Sequence, residues 1–255
     1  MTVTGPAPRV LVAAGLDPSG GAGLVADLEA LAAVGARGWA VATALTAQGP
    51  RGARGFEPVG EAMLRAQIDA LLSGEERPGA LKTGMLGRAA IARGLAARFQ
   101  EPDLARVPLV LDPVLAASSG ARLFDDEGLG LEPALRALLA RATLVTPNLP
   151  ELAALTGRDV STDEAAVEAA KHLPVAVAVL VKGGHRDGQP VDLLVEDGRH
   201  VTRFPGTRRA RGARGTGCRL ASAIAGLLAA GAPLHEAIAG AKRVVERYLD
   251  AAAGP

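Results

Sequence analysis

The sequence predicts an α/β protein with a mostly parallel central sheet and helices on both faces. Short apolar or β-branched runs alternate along the chain with longer helical patterns, which is typical of βαβ units. The chain has 255 residues, 49% of them hydrophobic, enough for one large core. It contains no Pro-, Gly- or Ser-rich linker and no clear repeat. We therefore expect a single domain over residues 1–255.

The strand-like runs are short and apolar, as expected for parallel strands that are covered on both faces. They are RVLVAA (9–14), GWAVATAL (38–45), ALKTG (80–84), PLVLDP (108–113), TLVTPN (143–148) and VAVAVLVKGG (175–184). The segment VDLLVEDGRHVTRF (191–204) has two short runs around an acid–glycine turn. It predicts a hairpin at the edge of the sheet.

The helix-like segments carry apolar residues at helical spacing. They cover residues 24–34, 61–72, 88–99, 132–142, 149–157, 163–173, 217–231 and 234–249. Ligands of such sheets bind beyond the carboxyl ends of the strands. The polar peptides of this chain collect at those ends: GLDPSGGAG, TAQ, KTGML, LDP, TPNLPE and VKGGH. The pattern predicts a binding site at that edge.

Composition excludes several classes of function. The 28 basic and 27 acidic residues nearly balance, for a formal charge of +1, and aromatic residues make up only 2%. Neither a general positive field nor base-stacking platforms are available, so we expect no nucleic-acid partner. The longest apolar run is too short to span a bilayer, and the first residues lack the pattern of a signal peptide. With one cysteine, the expected location is the cytoplasm, without a membrane partner.

Three familiar motifs do not fit the sequence. GAGLVA (21–26) matches a dinucleotide fingerprint, but it lies six residues beyond the first strand, and the second strand ends without the expected acid. GEERPG (74–79) has the glycines of a phosphate-binding P-loop but not the following Lys–Ser/Thr pair. The four histidines are far apart and there are no cysteine pairs, so no zinc-site spacing is present.

The peptide RGTGCRLASAI (214–224) is the strongest local signal. Its Gly215-Thr216-Gly217 turn precedes a helix that begins near Cys218, the only cysteine. Free amides and the positive helix end bind anions there, and a thiol at this position is expected to have a lowered pKa. A glycine turn with a packed, inert cysteine is the alternative interpretation. The arginines around this turn have two interpretations: they are exposed to solvent, or they bind a phosphate.

Taken together, these peptides resemble the hydroxymethylpyrimidine/phosphomethylpyrimidine kinases of thiamine biosynthesis, within the ribokinase-like superfamily. The likeness runs from about Val10 to about Ala230. It rests on AGLDPSGGAGLVADLEALAAVGARG, ATALTAQ, KTGMLG, LDPV, TPNLPE, VKGGH and GTGC, which follow in the family's order. The resemblance implies a ribokinase-like fold without the large lid of the sugar kinases, and a homodimer. It also implies MgATP-dependent phosphorylation of the aminopyrimidine alcohol and of its monophosphate.

Each family position implies a role for a residue of this chain. Gln48 would hydrogen-bond the aminopyrimidine, since its amide offers both a donor and an acceptor. The other residues implied to line the substrate pocket are Gly15, Asp17, Ala22, Thr46, Gly84, Met85 and Val114. Those implied to bind the nucleotide are Asn148, Lys182, Gly183, Arg214 and Arg219.

The resemblance also implies a metal site and a catalytic group. Asp112 and Glu151 would lie near Mg²⁺, a hard cation that needs oxygen ligands. Gly215, Thr216 and Gly217 would hold the charge that develops on the transferred group. Cys218 would accept the proton of the substrate hydroxyl.

The chain departs from the family pattern at three places. Ser118 stands where the family usually has a lysine, Gly212-Ala213-Arg214 replaces Asn-Thr-His, and Arg219 replaces a small hydroxyl residue. We expect the two arginines to supply a relocated phosphate contact. Two other functions stay open: a pyridoxal or pyridoxine kinase of the same fold, and a catalytically weakened pyrimidine-binding protein.

Overall fold

Strands alternate with helices along the chain, and most of the strands form one large sheet. The structure is a computed structural model, which describes residues 6–49, 51–117, 120–174, 178–184, 188–209 and 212–253. The strands are β1 (Arg9–Leu16), β2 (Arg37–Gly49), β3 (Gly52–Pro58), β4 (Ala80–Thr83), β5 (Gly87–Arg88), β6 (Leu109–Leu111), β7 (Phe124–Asp125), β8 (Leu144–Val145), β9 (Ala178–Val181), β10 (Val191–Glu196) and β11 (His200–Pro205). The helices are α1 (Gly23–Ala33), α2 (Glu61–Leu72), α3 (Ala89–Arg98), α4 (Leu131–Arg141), α5 (Leu149–Thr156), α6 (Asp163–Ala170), α7 (Thr216–Ala229) and α8 (Leu234–Ala253).

The main sheet has nine strands in the order β11-β10-β9-β8-β6-β4-β1-β2-β3. Every pair from β9 to β2 is parallel, whereas β2–β3, β9–β10 and β10–β11 are antiparallel. The predicted mostly parallel α/β architecture is confirmed, and so is the edge hairpin, which forms β10 and β11. That residues 1–255 form one domain stays a prediction.

The opposite edge of the sheet differs from the expectation. The second strand continues to Gly49 rather than ending at Leu45, and it pairs with β3, which was not predicted. The sequence of β3, GARGFEP, has two glycines and little apolar alternation, so it carries no clear strand signal. Thr46 and Gln48 therefore lie on a strand and share one face of it, since strand side chains alternate. A two-stranded pair of β5 and β7 was also missed.

Each central strand fills two cores, one on either side of the sheet. Along β1, Val10, Val12 and Ala14 pack with α1, α7 and α8, whereas Leu11 and Ala13 pack with α2 to α6. All five residues are fully buried. This double burial explains the continuous apolar runs in the sequence. Among the helices of the described ranges, none is long and apolar enough to cross a membrane.

The contact between α1 and α7 depends on a glycine. A Cβ atom added at Gly226 would lie 2.7 Å from Val34 Cγ2 and 3.0 Å from Leu31 Cδ2. A side chain at this position would push the two helices apart. Gly94, in the middle of α3, has only an ordinary contact, with Leu64 Cδ2 at 3.7 Å.

The two glycines therefore predict opposite effects of the same substitution. Gly226→Ala is expected to lower the free energy of unfolding by about 1–3 kcal/mol, because the added methyl group overpacks the interface. Gly94→Ala is expected to raise it by about 1 kcal/mol through higher helix propensity. Urea denaturation measures both, and a stabilised Gly226→Ala variant would contradict the close packing of α1 and α7.

Candidate active site

A cavity of about 780 Å³ opens at the carboxyl ends of the parallel strands. Its wall comes from the loop after β1, from β2, from the loops after β4, β6, β8 and β9, and from the start of α7. Fifteen of the residues singled out in the sequence line it: Gly15, Asp17, Ala22, Thr46, Gln48, Met85, Asp112, Val114, Asn148, Glu151, Lys182, Gly215, Thr216, Gly217 and Cys218. The structure thus brings most of the candidate residues together.

Four candidates do not line this cavity: Gly84, Gly183, Arg214 and Arg219. The two glycines are required by close approaches. A Cβ at Gly84 would lie 2.8 Å from Lys82 Nζ, and one at Gly183 would lie 1.9 Å from the carbonyl oxygen of Val191. A side chain at either position would therefore clash with its neighbour.

The glycine turn before α7 is built to present free amides. Gly215 precedes the helix with a φ of 71°, and it makes no side-chain cap hydrogen bond. The first amides of a helix have no acceptor within the helix, and they carry its positive end. A Cβ at Gly217 would lie 3.0 Å from Lys182 Nζ and 3.9 Å from Asp112 Oδ2. Gly215–Gly217, called here the anion-binding turn, therefore faces a lysine and a carboxylate.

Lys182 lies between two carboxylates. Its Nζ donates to Asp112 Oδ1 at 2.7 Å and lies 3.7 Å from Glu151 Oε2. Burial alone would lower the pKa of Lys182, but the two carboxylates outweigh it, so its pKa is raised and the ammonium is charged. Burial raises the pKa of Glu151 to about 7, although Lys182 opposes this change. Glu151 therefore titrates near neutrality.

The position of Glu151 is fixed by the start of α5. Asn148 Oδ1 accepts from the Glu151 amide at 2.8 Å, and Glu151 Oε2 accepts from the Asn148 amide at 2.7 Å. This reciprocal capping box holds both side chains at the helix terminus. Asp112 is held in turn by Thr146, whose hydroxyl donates to Oδ1 at 3.2 Å. The network around Lys182 is thus set by the cap of α5 and by Thr146, the residue that follows β8.

These oxygen atoms fit a magnesium ion. Mg²⁺ in such sites takes one or two carboxylates and completes its shell with water and substrate phosphates. Asp112 and Glu151 are two carboxylates of this kind, and both line the cavity that the anion-binding turn also lines. Within the described ranges, no group of three or more His, Cys, Asp or Glu side chains is arranged to hold an ion.

Cys218 lies in the first turn of α7 and lines the cavity. Burial raises the pKa of the thiol to about 11, while the charge of Lys82 and a hydrogen bond from the Gly23 amide lower it. The expectation that the helix terminus would lower this pKa is wrong for the unliganded protein. Desolvation of the thiolate exceeds the favourable effect of the nearby positive charges.

Sequence reasoning missed a buried ion pair below Cys218. Lys82 and Asp27 are both fully buried, with Lys82 Nζ 2.7 Å from Asp27 Oδ1. Ser222 Oγ, one helical turn after Cys218, donates to the same oxygen at 2.8 Å. Asp27 Oδ2 has no hydrogen-bond partner among the described residues. A lysine inside the apolar strand ALKT was the signal that could have revealed this pair.

Arg214 joins the anion-binding turn to the rim of the cavity. Its guanidinium donates to Asp17 Oδ2 at 2.8 Å, to the Gly49 carbonyl at 2.9 Å and to Ser19 Oγ at 3.2 Å. Asp17 Oδ1 also accepts from the amide and hydroxyl of Ser19. Arg214 thus ties the loop after β1 to the end of β2.

Arg219 is not placed as the sequence suggested. Its side chain is 5% exposed, and its guanidinium pairs with Glu29 Oε2 at 2.5 Å. It also lies over the ring of Tyr248, with its Cζ 3.8 Å from the ring centroid. These contacts hold the guanidinium behind the anion-binding turn, away from the cavity. Ser118, the third departure, lies outside the described residues.

A second, smaller cavity of about 260 Å³ adjoins the first. It lies among the β9–β10 connection, the segment after β11, and helices α7 and α8. Residues that line both cavities are Lys182, Gly184, Gly212, Ala213, Thr216 and Gly217. The two spaces therefore meet at Lys182 and the anion-binding turn.

This arrangement defines the class of the protein. Two adjoining cavities meet at an anion-binding helix terminus on the carboxyl edge of a mostly parallel sheet. Comparison with solved structures shows that this mostly parallel α/β fold is that of the ribokinase-like kinases. A model of the phosphomethylpyrimidine kinase family matches residues 17–254. The chain belongs to this family.

Relatives of known name support the same assignment. A thiamine biosynthesis bifunctional protein of Geobacter sulfurreducens is 44% identical over 246 residues, covering 94% of this chain and 49% of that protein. The chain thus spans about half the length of this relative. A hydroxymethylpyrimidine/phosphomethylpyrimidine kinase of Rhizobium meliloti is 42% identical, covering 94% of this chain and 89% of that protein.

Two solved structures show the same fold. Phosphomethylpyrimidine kinase from Clostridium difficile 630 has a TM-score of 0.81 at 30% identity, covering 96% of this chain and 100% of that chain. Pyridoxal kinase from Staphylococcus aureus in complex with AMP-PCP and pyridoxal has a TM-score of 0.78 at 28% identity, covering 94% and 87%. Similarity of fold alone does not separate these two substrate classes.

The raised pKa of Cys218 predicts a slow thiol. In the unliganded protein, the alkylation rate with iodoacetamide near pH 7 is expected to be about a hundredfold below that of the denatured chain, since the pKa rises from 9.0 to about 11. Mass spectrometry measures the rate, and Cys218→Ser, which removes the only thiol, gives the background. A rate that levels off below pH 8 would contradict the raised pKa.

Proposed function

We propose that the protein transfers the γ-phosphoryl group of ATP to 4-amino-5-hydroxymethyl-2-methylpyrimidine, to its monophosphate, or to both, in thiamine biosynthesis. One observation carries the proposal: two cavities meet at the anion-binding turn, so that a donor and an acceptor can be held on either side of it. Phosphoryl transfer requires this positioning of two substrates, together with charge stabilisation between them. The names of the relatives support the substrate class.

The larger cavity is suited to the aminopyrimidine. Gln48 supplies a donor and an acceptor from the end of β2, and Met85 supplies a polarisable apolar contact. A Cβ at Gly15 would lie 2.7 Å from Met85 Sδ, so this glycine gives the methionine its room. The Thr46 hydroxyl donates a hydrogen bond of 2.9 Å to the Leu16 carbonyl, and this bond fixes the cavity wall beside Gln48. Val114 closes the apolar side.

The smaller cavity is suited to the base and ribose of the nucleotide, with its phosphates at the junction. Lys182 is charged and faces the anion-binding turn, where it would offset phosphate charge. Asn148 lines the junction from the start of α5. The chain's own groups for Mg²⁺ are Asp112 and Glu151. When bound with the nucleotide, the ion would neutralise phosphate charge and orient the transferred group.

The acceptor hydroxyl is expected to lie near Cys218, on the side of the turn that faces the larger cavity. In the unliganded state the group is a thiol, so it must first lose its proton to act as a base. The ammonium groups of Lys82 and Lys182 favour the thiolate, whereas Asp27 and Asp112 oppose it. The amides of the turn stabilise charge on the transferred group whether or not the thiol ionises.

The two phosphorylation steps are therefore expected to depend differently on the thiol. Cys218→Ala should lower kcat for the alcohol on the order of a hundredfold, the usual contribution of a general base. Turnover of the monophosphate should fall much less, because its acceptor oxygen is already anionic. Coupled detection of ADP release measures both rates, and equal losses for the two acceptors would argue against a role of Cys218 as a base.

The substrate is tested by measuring ADP release with MgATP and three acceptors: the hydroxymethylpyrimidine, its monophosphate, and pyridoxal. Turnover of either pyrimidine supports the proposal. Turnover of pyridoxal alone would assign the protein to the second substrate class, which the structural likeness to a pyridoxal-bound kinase keeps open. Calorimetric binding of the pyrimidine without turnover would indicate a binding protein that has lost catalysis.

The titration of Glu151 predicts a pH-dependent requirement for magnesium. Its pKa of about 7 means that the carboxylate forms as the pH rises through neutrality, and only the carboxylate is a metal ligand. The half-saturating Mg²⁺ concentration should therefore fall from pH 6 to pH 8, more steeply in the wild type than in Glu151→Gln. The glutamine preserves the capping contact, so identical pH profiles would exclude Glu151 as a ligand.

A homodimer and a cytoplasmic location stay predictions. Leu45 and Met63 are large apolar side chains that are 54% and 59% exposed. They lie on β2 and α2, on the side of the sheet that ends in β3. Light scattering on the purified chain measures the oligomeric state.

A further inference from the structure

The C-terminal helix α8 contacts the backbone of the anion-binding turn from behind. The hydroxyl of Tyr248, the only tyrosine, donates to the Arg214 carbonyl at 3.0 Å. The guanidinium of Arg219 lies 3.8 Å above the Tyr248 ring and donates to the same carbonyl at 3.4 Å. A second hydrogen bond from Arg219, 3.2 Å long, reaches the Gly21 carbonyl in the loop before α1. We call these two side chains the Arg219–Tyr248 clamp.

Glu29 completes the clamp from α1. Its carboxylate pairs with Arg219 at 2.5 Å, while the arginine side chain is only 5% exposed. A buried guanidinium needs such a partner, because an unpaired charge would be costly to bury. Its charge is thus neutralised, and both of its terminal nitrogens donate to acceptors of the protein. Arg219 is therefore suited to holding the backbone of Gly21 and Arg214 in place, not to binding the phosphate of a ligand.

The carbonyl that the clamp holds belongs to the peptide that opens the turn. In a planar trans peptide, the carbonyl and the following N–H point in opposite directions. With the Arg214 carbonyl directed at Tyr248 and Arg219, the Gly215 N–H is directed to the other side, where Gly215 lines the large cavity. A Cβ at Gly215 would lie 2.3 Å from the Gly21 carbonyl oxygen and 2.8 Å from Arg219 Nη1, so the clamp and the loop before α1 pack closely against this glycine and leave no room for a side chain.

We propose that Arg219 and Tyr248 are positioning residues that hold the anion-binding turn with its amides directed at the transferred phosphoryl group. The inference rests on the proposed function, since it assigns the turn to phosphoryl transfer. It gives α8 a part in the reaction although Tyr248 and Arg219 lie outside both cavities. The charge that the turn meets is greatest in the transition state, so the clamp should act on kcat more than on nucleotide affinity.

The test compares two ligands that differ at the transferred group. Dissociation constants are measured for MgADP alone and for MgADP with aluminium fluoride, which mimics the transferred phosphoryl group. Arg219→Met is expected to weaken the aluminium fluoride complex about tenfold and to leave MgADP binding nearly unchanged, since misplaced donors lose their effect on the developing charge. Tyr248→Phe removes the hydroxyl but retains the ring, so its effect should be smaller.

Two further variants separate positioning from folding. Arg219→Lys retains the charge pair with Glu29 but loses the planar stacking, and it should recover part of the affinity. Arg247→Met removes an exposed arginine next to Tyr248 and should leave both constants unchanged. The proposal is overturned if Arg219→Met binds both ligands as the wild type does, or if both affinities and the melting temperature fall together.

The readout also separates this proposal from the proposed function. Binding of MgADP with aluminium fluoride requires neither the pyrimidine nor pyridoxal as acceptor. If the wild type turns over none of the three acceptors but its aluminium fluoride complex depends on Arg219, the substrate assignment fails and the clamp stands. If a pyrimidine is phosphorylated and kcat is insensitive to Arg219→Met, the clamp fails and the substrate assignment stands.

Discussion

The buried ion pair between Lys82 and Asp27 connects the centre of the sheet to the helices that form the site. Lys82 comes from β4, Asp27 from α1, and Ser222 of α7 donates to the same carboxylate oxygen. Burial raises the pKa of Asp27. Burial alone would lower the pKa of Lys82, but the charge of the Asp27 carboxylate outweighs this effect, so the pKa of Lys82 is raised and its ammonium stays charged. A pair of this kind is costly to break, because either partner alone would be a buried, uncompensated charge. It fixes the register in which α7 lies over the strands.

A second lysine–carboxylate network, of Lys182 with Asp112 and Glu151, lies beside the anion-binding turn. Lys182, Asp112 and Glu151 line the cavity, at the point where we propose that a phosphate and a cation bind, whereas Lys82 and Asp27 are fully buried. Charged groups of both networks change the pKa of the Cys218 thiol. The pKa of this thiol is therefore a property of the whole site, and it depends on which charged ligands are present.

The same logic separates the two arginines near the turn. Both follow glycine-rich sequence and both look like phosphate ligands when the sequence is read alone. In the fold, Arg214 crosslinks the cavity rim through Asp17 and Gly49, and Arg219 is neutralised by Glu29 behind the turn. An arginine presents a rigid fork of donors, which suits it to crosslinking backbone as well as to holding anions. Only the three-dimensional neighbours decide between these uses.

The sequence by itself predicted the eight helices, the strands β1, β2, β4, β6, β8 and β9 in order along the chain, the edge hairpin of β10 and β11, and most of the residues that collect at the carboxyl edge. These follow from local patterns: apolar runs, helical periodicity, and glycine-rich turns after strands. The tertiary structure alone decided the pairing of β3, the ion pair of Lys82, the position of Arg219 and the raised pKa of Cys218. Each of these depends on burial and on partners that are distant in the chain, and no local pattern encodes the balance between desolvation and a distant charge.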